Sequence, residues 1–394
     1  MFRYLTAGES HGPVLTVIIE GMPAGLEISE KLIGTDMARR MLGYGRGGRM
    51  KIETDETVIR SGVRHGITFG SPITLAIENR DWVNWQEKMS IGAIDKVIEP
   101  ITRLRPGHAD LAGTMKYYQK DVRNILERSS ARETAARVAV GAVARKLLAE
   151  FDVAIHSHVL SIGGVMAGDN SSVNWEDVEK SEVRCADPDA AIKMMAVIDE
   201  AKEAGDTVGG VVEVVATGLP IGLGSHVQWD RKIDGRLAQA IMSINAIKAV
   251  TIGDGWDSVN KKGSKVHDVI NPVEDPSKPW QRNTNNAGGT EGGMTNGMPL
   301  VVRFAVKPIS TLANPLPSVD LNSGEKVQAH YERSDVCQVP AAGIVGEAMV
   351  AIVMAQALQE KFGGDHIDEM KRNYDGYTAT VGPRNITGDF SSNG

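Results

Sequence analysis

The sequence predicts an α+β protein, because segments with helical and strand-like patterns come in groups and do not alternate regularly along its 394 residues. Two long segments, residues 129–151 and 339–364, carry alanine, valine and glycine on nearly every helical face. A helix that is apolar all round is buried on every side. Both segments are therefore predicted to lie in the protein interior.

The first 80 residues predict a strand pair, a helix and a further set of strands. The run Leu15–Gly25 is β-branched until it breaks at Gly-Met-Pro. Residues 28–42 have a helical pattern with Ser29 as the N-cap. Thr57–Asn79 alternates between apolar and polar residues and contains turn signals, which is typical of antiparallel strands.

The two apolar helices carry their own end signals. Ser130 and Glu133 have the spacing of a capping box, which predicts that the first helix opens at Ser130. Pro340 stands near the start of the second helix and Gly363 just past its end. Two further strands and a third helix are predicted at Val208–Pro220, Pro299–Pro308 and residues 232–250, respectively.

Composition excludes several classes of protein. The net charge of −7 argues against wholesale nucleic-acid binding. Cys185 and Cys337 are far apart, which suits a reducing cytoplasm and argues against a disulfide framework. The start of the chain lacks the pattern of a signal peptide, and we find no apolar run of about 18 residues. We therefore expect a cytoplasmic protein with no membrane span; length alone would suit two or three domains.

Four arginines surround a glycine-rich stretch and fall within eleven residues: Arg39, Arg40, Arg46 and Arg49. A guanidinium fork matches the oxygens of a carboxylate or phosphate in a bidentate way. The interleaved glycines would let a ligand approach closely. The alternative is a solvated basic loop or a nucleic-acid tail, but the negative net charge favours a small anionic ligand.

Two histidines lie among small residues, His11 in "GESHG" and His108 in "RPGHAD". An unperturbed imidazole titrates near about 6.5, which suits proton transfer at neutral pH. The alternative for either one, taken singly, is a surface or hydrogen-bonded structural residue. His156 and His158 form a His-x-His pair without nearby cysteine or carboxylate partners, so we predict a strand with both rings on one face and no metal.

Two later segments are suited to binding an anion or a planar ring. Asn283–Met298 is too polar and glycine-rich to pack as a regular element, and it would offer backbone groups to a ligand. It has neither the ending of a P-loop nor the context of a dinucleotide-binding motif. Lys307–Thr311 follows a predicted strand with a lysine and two hydroxyls. A flexible surface loop is the alternative for Asn283–Met298.

The starts of both apolar helices carry polar residues. Ser129, Ser130 and Arg132 stand where free backbone N–H groups and the helix dipole favour a phosphate, although a well-capped helix is the simpler alternative. Glu332, Arg333 and Asp335 precede the second helix. A carboxylate at that place is either a cap or a base, and spacing alone does not decide between them.

These segments together resemble the chorismate synthase family. The matching motifs are "GESHG", "RPGHAD", "RSSARETAARVAVGA", "NNAGGTEGGMTNGM", "KPIST" and "RSDVCQVPAA", in the family's order over nearly the whole chain. The resemblance implies a β-α-β sandwich, with helices packed between two antiparallel sheets, assembled as a homotetramer. It implies one domain, residues 1–374, followed by a polar tail at 375–394 that we expect to be mobile.

The resemblance also implies the reaction, the conversion of 5-enolpyruvylshikimate 3-phosphate to chorismate and phosphate by anti 1,4-elimination. This is the last common step of aromatic amino acid biosynthesis, in the shikimate pathway. It requires reduced FMN (FMNH2), with NADPH as the source of reducing electrons and an external flavin reductase as partner. The alternatives are another FMN-dependent enzyme, such as a flavin reductase, and a non-enzymatic RNA-binding protein.

Residue roles carry over by position. His11 matches the histidine thought to protonate the leaving phosphate, His108 the one thought to protonate reduced flavin, and Asp335 the carboxylate proposed to help flavin N5 act as the base. The flavin-contacting positions are matched by Arg128, Ser129, Ser130, Asn245, Ala246, Gly292, Lys307, Pro308, Ile309, Ser310, Thr311 and Arg333. The positions for substrate or NADP are matched by Ser10, Arg40, Arg46, Arg49, Arg105 and Arg132.

Overall fold

Two antiparallel sheets enclose a layer of helices in the computed structural model, which describes residues 2–47, 55–168, 173–273, 280–332 and 334–382. The strands are β1 (Arg3–Ala7), β2 (Val14–Glu20), β3 (Thr57–Ile59), β4 (Val63–Arg64), β5 (Ile67–Thr68), β6 (Ile73–Glu78), β7 (Ala154–Ile162), β8 (Val165–Met166), β9 (Gly210–Thr217), β10 (Ile247–Ile252), β11 (Ile270–Asn271), β12 (Gln281–Arg282), β13 (Thr290–Glu291), β14 (Met294–Thr295), β15 (Leu300–Val306), β16 (Pro317–Val319) and β17 (Lys326–Gln328). The helices are α1 (Glu30–Met41), α2 (Asp110–Tyr117), α3 (Arg123–Ser129), α4 (Glu133–Ala149), α5 (Trp175–Lys180), α6 (Pro188–Glu203), α7 (Ile233–Met242), α8 (Gly263–Val266), α9 (Val339–Phe362) and α10 (Ile367–Thr378).

The first sheet has the strand order β1-β2-β6-β3, and the second has the order β10-β15-β9-β7-β8. Neighbouring strands in both sheets are antiparallel. Alternate side chains of β2, such as Val17 and Ile19, are fully buried, while Ile18 between them is exposed. This period-two pattern directs one face of the first sheet to the core and leaves the other face outside.

The middle layer is built on α4 and α9, which pack against each other between the sheets. Their backbones approach closely at Gly141, where an added Cβ would lie 2.3 Å from the Cβ of Ala348. Both helices are buried on most faces, as their composition predicts. The α+β class and the sandwich are therefore confirmed. By length and composition α9 could span a bilayer, but 94% of its most apolar window is buried inside the fold.

The helix ends agree with two of the three predictions. The Ser29 hydroxyl accepts a hydrogen bond from the backbone N–H of Leu32 and caps α1, and α9 ends at Gly363 with φ +58°. The capping box at Ser130 is wrong. Helix α4 begins at Glu133 and has no side-chain cap, because Ser130 is the extended residue that ends α3. The Ser130 hydroxyl instead accepts from the backbone N–H of Arg132.

Other elements depart from the sequence pattern or extend it. The third helix is α7, and the residues after it turn into β10 instead of continuing the helix. Both predicted strands, β9 and β15, are present. Helix α10 crosses the expected domain boundary after residue 374, and the Tyr377 hydroxyl donates to the carbonyl of Ile221 at 3.0 Å. Residues 383–394 of the predicted tail lie outside the described residues.

Candidate active site

A cavity of about 370 Å³ lies where α3 ends and where α4 and α9 begin. Its volume falls within the range of about 300–1,000 Å³ that is usual for small-molecule sites. The sequence-predicted residues that line it are His11, Arg40, Arg46, Arg105, His108, Ser129, Ser130, Arg132, Asn245, Ala246, Lys307, Pro308, Ile309, Ser310, Thr311 and Asp335. The structure thus brings together motifs separated by up to three hundred residues in the chain.

His11 lies in the loop between β1 and β2 and is buried. Its Nδ1 lies 2.9 Å from Oε1 of Glu127, and its backbone N–H donates to Oε2 of the same carboxylate at 2.7 Å. Its ring stacks on Trp85 with 3.8 Å between ring centroids. Arg123 also donates to Glu127, at 2.8 Å. His11 is therefore held on one ring nitrogen and on one ring face.

His108 has a closely similar support. Its Nδ1 is hydrogen bonded to Oδ1 of Asp110, which is fully buried at the start of α2. Arg105 donates to both oxygens of Asp110, at 2.8 and 3.0 Å, and to Thr311 at 3.2 Å. Burial alone would raise the pKa of Asp110, but hydrogen bonds from His108 and Arg105 hold it well below its usual range. Asp110 is thus a fixed negative charge beside His108.

Asp335 is held by the loop that follows α1. Its carboxylate accepts a hydrogen bond from the backbone N–H of Gly47 at 2.6 Å and pairs with Arg46 at 2.9 Å. A Cβ at Gly47 would lie 3.1 Å from the carbonyl oxygen of Ser334. Glycine at position 47 therefore permits the close approach that fixes Asp335 at the cavity wall.

Arg40 and Arg132 reach the cavity from α1 and from the residue before α4. Both guanidinium groups contact the buried Asp55, at 3.1 and 3.3 Å. Arg40 also donates to Thr134 at 3.1 Å, and Arg132 donates to the carbonyl of Ser10 at 2.9 Å. These contacts set the position of two cations beside the N-terminus of α4, where backbone dipoles also favour an anion.

The segments predicted to contact flavin form the remaining wall. The Lys307 ammonium donates to the carbonyl of Gly107 at 2.6 Å, and Asn245 donates to the carbonyl of Ser129 at 2.9 Å. Ala246 takes a left-handed backbone conformation, φ +69°, which is uncommon for a residue with a Cβ. Apolar side chains adjoin these polar groups: Leu126, Ile244, Ala341, Ala342 and Val345.

Three predicted site residues lie outside the cavity as the structure describes it. The Ser10 hydroxyl is buried behind His11 and donates to Ser130 at 3.0 Å. The Arg128 guanidinium turns back to the β1 strand and donates to Thr6. Gly292 occupies the turn of the β13–β14 hairpin. Two others, Arg49 and Arg333, lie outside the described residues.

The arginine-rich stretch divides between two environments. Arg39 and Arg40 belong to helix α1 and not to the glycine-rich loop. Arg40 lines the cavity, whereas Arg39 turns away and donates to Glu347 at 2.7 Å inside the core. The interpretation of these arginines as one anion-binding loop is therefore wrong for Arg39, because successive helical residues point about 100° apart.

His156 and His158 lie together against an aromatic side chain. Both are on β7, and both rings contact Trp175, with centroids 4.9 and 5.7 Å away. They therefore share one face of the strand, as predicted. Among the residues that the structure describes, no group of three or more His, Cys, Asp or Glu is placed to hold a metal ion. Cys185 and Cys337 are both buried free thiols.

Comparison with known proteins agrees with this geometry. A family model described as chorismate synthase matches residues 2–359. A chorismate synthase of Geobacter sulfurreducens is 58% identical, over 97% of this chain and 99% of its own length, and one of Aquifex aeolicus is 55% identical, over 96% and 98%. A crystal structure of chorismate synthase is 45% identical with a TM-score of 0.78, covering 97% of this chain and 98% of that one.

The chain belongs to the chorismate synthase family. It is therefore an enzyme of that family, a lyase of aromatic biosynthesis. In this member of the chorismate synthase family, five of the six motifs that matched in sequence contribute residues to one cavity, which lies between the starts of the two helices of the middle layer; the exception is the stretch at residues 285–298.

Sequence reasoning missed several residues that support the site: Asp55, Trp85, Asp110, Arg123, Glu127 and Thr134. Glu127 contacts His11 across 116 positions of the chain, so no local spacing could connect them. Asp110, two residues after His108, had a usable signal, because a carboxylate close to a candidate histidine is a common partner for its second ring nitrogen. The motif RPGHAD contains both His108 and Asp110, whereas Glu127 lies just outside the quoted motifs.

Proposed function

We propose that this enzyme converts 5-enolpyruvylshikimate 3-phosphate to chorismate and phosphate by anti 1,4-elimination, with reduced FMN as its cofactor. The observation that carries the proposal is the convergence of two imidazoles, each backed by a buried carboxylate, on a cavity lined by arginine and lysine side chains. General acid groups and anion-binding groups are the two requirements of a reaction that releases phosphate.

Charge complementarity supports the choice of substrate. The substrate carries one phosphate and two carboxylates, and the cationic side chains of the cavity are Arg40, Arg46, Arg105, Arg132 and Lys307. Guanidinium forks suit such groups because they donate two parallel hydrogen bonds. The amino-terminal ends of α4 and α9 add partial positive charge at the same place. Together these groups would fix the orientation of a trianion.

The donor set also suits a flavin. The Lys307 ammonium, the hydroxyls of Ser310 and Thr311 and the backbone at Asn245 adjoin an apolar wall from α9. This combination would hold a phosphate-bearing tail by the polar groups and a planar ring by the apolar ones. Reduced FMN, when bound, supplies electron density as the phosphate departs.

The chain's own residues provide the proton chemistry. With Nδ1 directed to Glu127, His11 would hold its transferable proton at Nε2 and give it to the leaving phosphate. His108, with Nδ1 directed to Asp110, would likewise keep a proton available at Nε2 on its side of the cavity. Asp335 would orient the cofactor ring at the position where a proton leaves the substrate.

The wider setting is part of the same proposal. We expect a cytoplasmic homotetramer that takes reduced flavin from an external reductase which uses NADPH, and we expect neither nucleic acid nor a membrane as a partner. Leu5 and Ile18 are exposed on the outer face of the first sheet, which supports association with other copies of the chain. Ultracentrifugation would test the tetramer directly.

An anaerobic assay tests the reaction. The enzyme is mixed with photoreduced FMN and the substrate, and phosphate release is followed together with NADPH absorbance. Phosphate release without net NADPH consumption is expected, because the elimination involves no net change of redox state. In a second anaerobic sample, oxidised FMN and NADPH replace the photoreduced FMN. NADPH oxidation matched by FMN reduction in that sample, with no phosphate release in either sample, would instead indicate a flavin reductase and would overturn the proposal.

A further inference from the structure

The ring of His11 is enclosed by Glu127 and Trp85, which lie outside the sequence motifs quoted above. Glu127 holds both Nδ1 and the backbone N–H of this residue, at 2.9 and 2.7 Å. Trp85 covers one ring face at 3.8 Å. The Trp85 indole N–H in turn donates to Asp81 at 2.8 Å, which fixes the plane of the indole. The imidazole is thus held in position before any ligand is present.

Glu127 is itself tightly positioned and charged. Only 3% of its side chain is exposed, and Arg123 donates to its Oε1 at 2.8 Å. Burial alone would raise the pKa of Glu127, but the hydrogen bonds and charges of His11, together with the hydrogen bond from Arg123, hold it below its ordinary value. Glu127 is therefore an ionised carboxylate in direct contact with Nδ1 of His11.

The support of His11 differs from that of His108 in one respect. Asp110 receives three hydrogen bonds from Arg105 alone, two from its guanidinium and one from its backbone N–H, so much of its negative charge is compensated. Glu127 receives one from Arg123, whose other branch donates to Glu332 at 3.1 Å. The carboxylate beside His11 is therefore less neutralised by arginine than the carboxylate beside His108.

We propose that Glu127 is a positioning residue that keeps His11 in its charged form and leaves Nε2 as the ring nitrogen that delivers a proton into the cavity. The inference rests on the proposed function, in which His11 is the general acid for the departing phosphate. Glu127 acts through His11 and does not itself line the cavity.

The charge on His11 depends on all the groups around it. Those nearest to it or to its immediate partners are Asp81, Lys88, Arg123, Glu127, Arg132 and Glu332. Glu127 is the one whose carboxylate contacts the ring nitrogen, so its removal should have the largest effect among these groups.

The test uses Glu127→Gln, which keeps a hydrogen-bond acceptor but removes the charge. In the protein without flavin, emission from Trp85 reports on His11, because a stacked imidazolium quenches indole fluorescence more than a neutral imidazole does. In this variant the pH-dependent change in Trp85 emission should move to lower pH, because the ring loses its charged partner. Trp85→Phe identifies that transition by abolishing it, while a transition from Trp175 beside His156 should remain.

The same variant should show a matching change in turnover. At neutral pH its kcat should fall by about 10- to 100-fold, and the alkaline limb of the pH–rate profile should move to lower pH, because the charged form of His11 is then lost earlier. KM should hardly change, since the lost interaction acts in the transition state. Glu127→Asp restores the charge, so the fluorescence transition should return toward that of the wild-type protein while the shorter side chain keeps kcat reduced.

The matched control is Glu213→Gln. Glu213 is a buried carboxylate that contacts His158 at 2.9 Å, away from the lining of the cavity. This variant should leave both the Trp85 transition and the pH–rate profile unchanged. An unmoved transition in Glu127→Gln, or an equal shift in Glu213→Gln, would overturn the inference. If Glu127→Gln fails to fold, Glu127→Asp decides, and a kcat within about twofold of wild type would contradict a positioning role.

The two proposals fail in different ways. If the wild-type enzyme released no phosphate, the proposed reaction would be wrong, whereas the fluorescence titration of the flavin-free protein would still measure the hold of Glu127 on His11. If phosphate release were normal and the titration unmoved by Glu127→Gln, only the role of Glu127 would be lost.

Discussion

Two clusters of buried arginines and carboxylates lie on either side of helix α1, and adjacent residues supply them. Arg39 enters the core network, which we define as Asp36, Arg39, Arg145, Glu179, Arg184 and Glu347. Arg40 lines the cavity. The two clusters have similar residue types but differ in where their carboxylates lie relative to the cavity.

In the core network every carboxylate meets several cations. Glu347 is fully buried on α9 and accepts from Arg39 at 2.7 Å, from Arg145 at 2.8 Å and from the Ser157 hydroxyl at 2.7 Å. Arg145 also donates to Asp36 at 2.9 Å. Burial alone would raise the pKa of Glu347, but Arg145 and Arg39 hold it below its ordinary value. Such a saturated cluster joins α1, α4, α9 and β7 in one arrangement.

Around the cavity the carboxylates that pair with the cationic side chains lie partly in the lining and partly outside it. The carboxylates of the lining are Glu332 and Asp335, whereas Asp55 and Asp110, which pair with Arg40, Arg132 and Arg105, are not part of the lining. The lining therefore presents more cations than carboxylates and suits a ligand of negative charge, although the cluster as a whole is paired. The number of arginines therefore does not identify the site, but the arrangement of their partners does.

The largest expected effect is on the histidines of the cavity. His11→Ala and His108→Ala should each lower turnover by about 10²- to 10⁴-fold, the scale of a lost general acid or base, while the fold survives. The measurement is phosphate release under anaerobic conditions, with circular dichroism as the check on folding. His158→Ala is the control, because this histidine contacts the carboxylate of Glu213 outside the cavity lining and should retain activity. Equal losses in all three variants would contradict the assignment.

The next effect should appear in stability and not in turnover. Glu347→Ala leaves three guanidinium groups of the core network without their shared partner, and it should lower the free energy of unfolding by about 3–5 kcal/mol. Urea denaturation measures this. Glu150→Ala is the control, since Glu150 pairs with Lys146 and Lys371 near the surface, and it should cost about 1 kcal/mol or less. A similar cost for both would mean that the core network is not a structural unit.

The fold was predictable wherever a pattern was local. The apolar composition of α4 and α9 placed both helices in the interior, and the glycine after α9 marked its end. The start of α4 was not predictable from the capping-box spacing, because Ser130 is the extended residue that follows Ser129 and caps the end of α3. Two helices that abut compete for the same polar residue, and a sequence pattern cannot show which one takes it.

The site was predictable only as far as motifs reach. His11 and His108 stand out by their small neighbours, and both line the cavity. The carboxylates that support these histidines differ in how far a sequence pattern could reach them. Asp110 is two residues from His108, whereas Glu127 comes to His11 from another element of the fold. The separation of Arg39 from Arg40 also depended on the phase of α1 relative to its neighbours, which the sequence did not specify.

Acid should lower the free energy of unfolding through one carboxylate in each cluster, Glu179 in the core network and Glu332 at the cavity. Burial alone would raise the pKa of Glu179 and Glu332, but Arg39 and Arg184 lower the first to about 2, and His330 and Arg123 lower the second to about 2. A carboxylate with a lowered pKa contributes stability that is present above its ordinary value of 4.5 and is lost as the pH falls toward 2. Urea denaturation across this interval should show it.

The contributions of Glu179 and Glu332 to acid stability can be separated by substituting each residue and by adding inorganic phosphate. Glu179→Gln and Glu332→Gln should each flatten the dependence of unfolding free energy on pH below about 4.5. Inorganic phosphate should diminish only the contribution of Glu332, because Arg105 and His11, which also lower its pKa, line the cavity. The same response of Glu179 to phosphate would contradict the view that the core network is closed to ligands.

The smallest expected effect concerns the ionisation of Lys307, a cation of the cavity lining. Burial lowers the pKa of Lys307, and the charge of Lys248 on β10 lowers it further. Lys248→Gln should therefore raise the pKa of Lys307, so that its ammonium persists to higher pH. As the pH rises from 7 to 9, FMN affinity should then decline less steeply than in the wild-type protein, as measured by quenching of flavin fluorescence. At pH 7 the loss of one distant charge should weaken binding by less than about threefold. Lys326→Gln, on the exposed strand β17, removes a charge elsewhere and should leave the decline unchanged. If both variants change the slope alike, the effect reflects net charge, and Lys307 is not the group whose ionisation controls flavin binding.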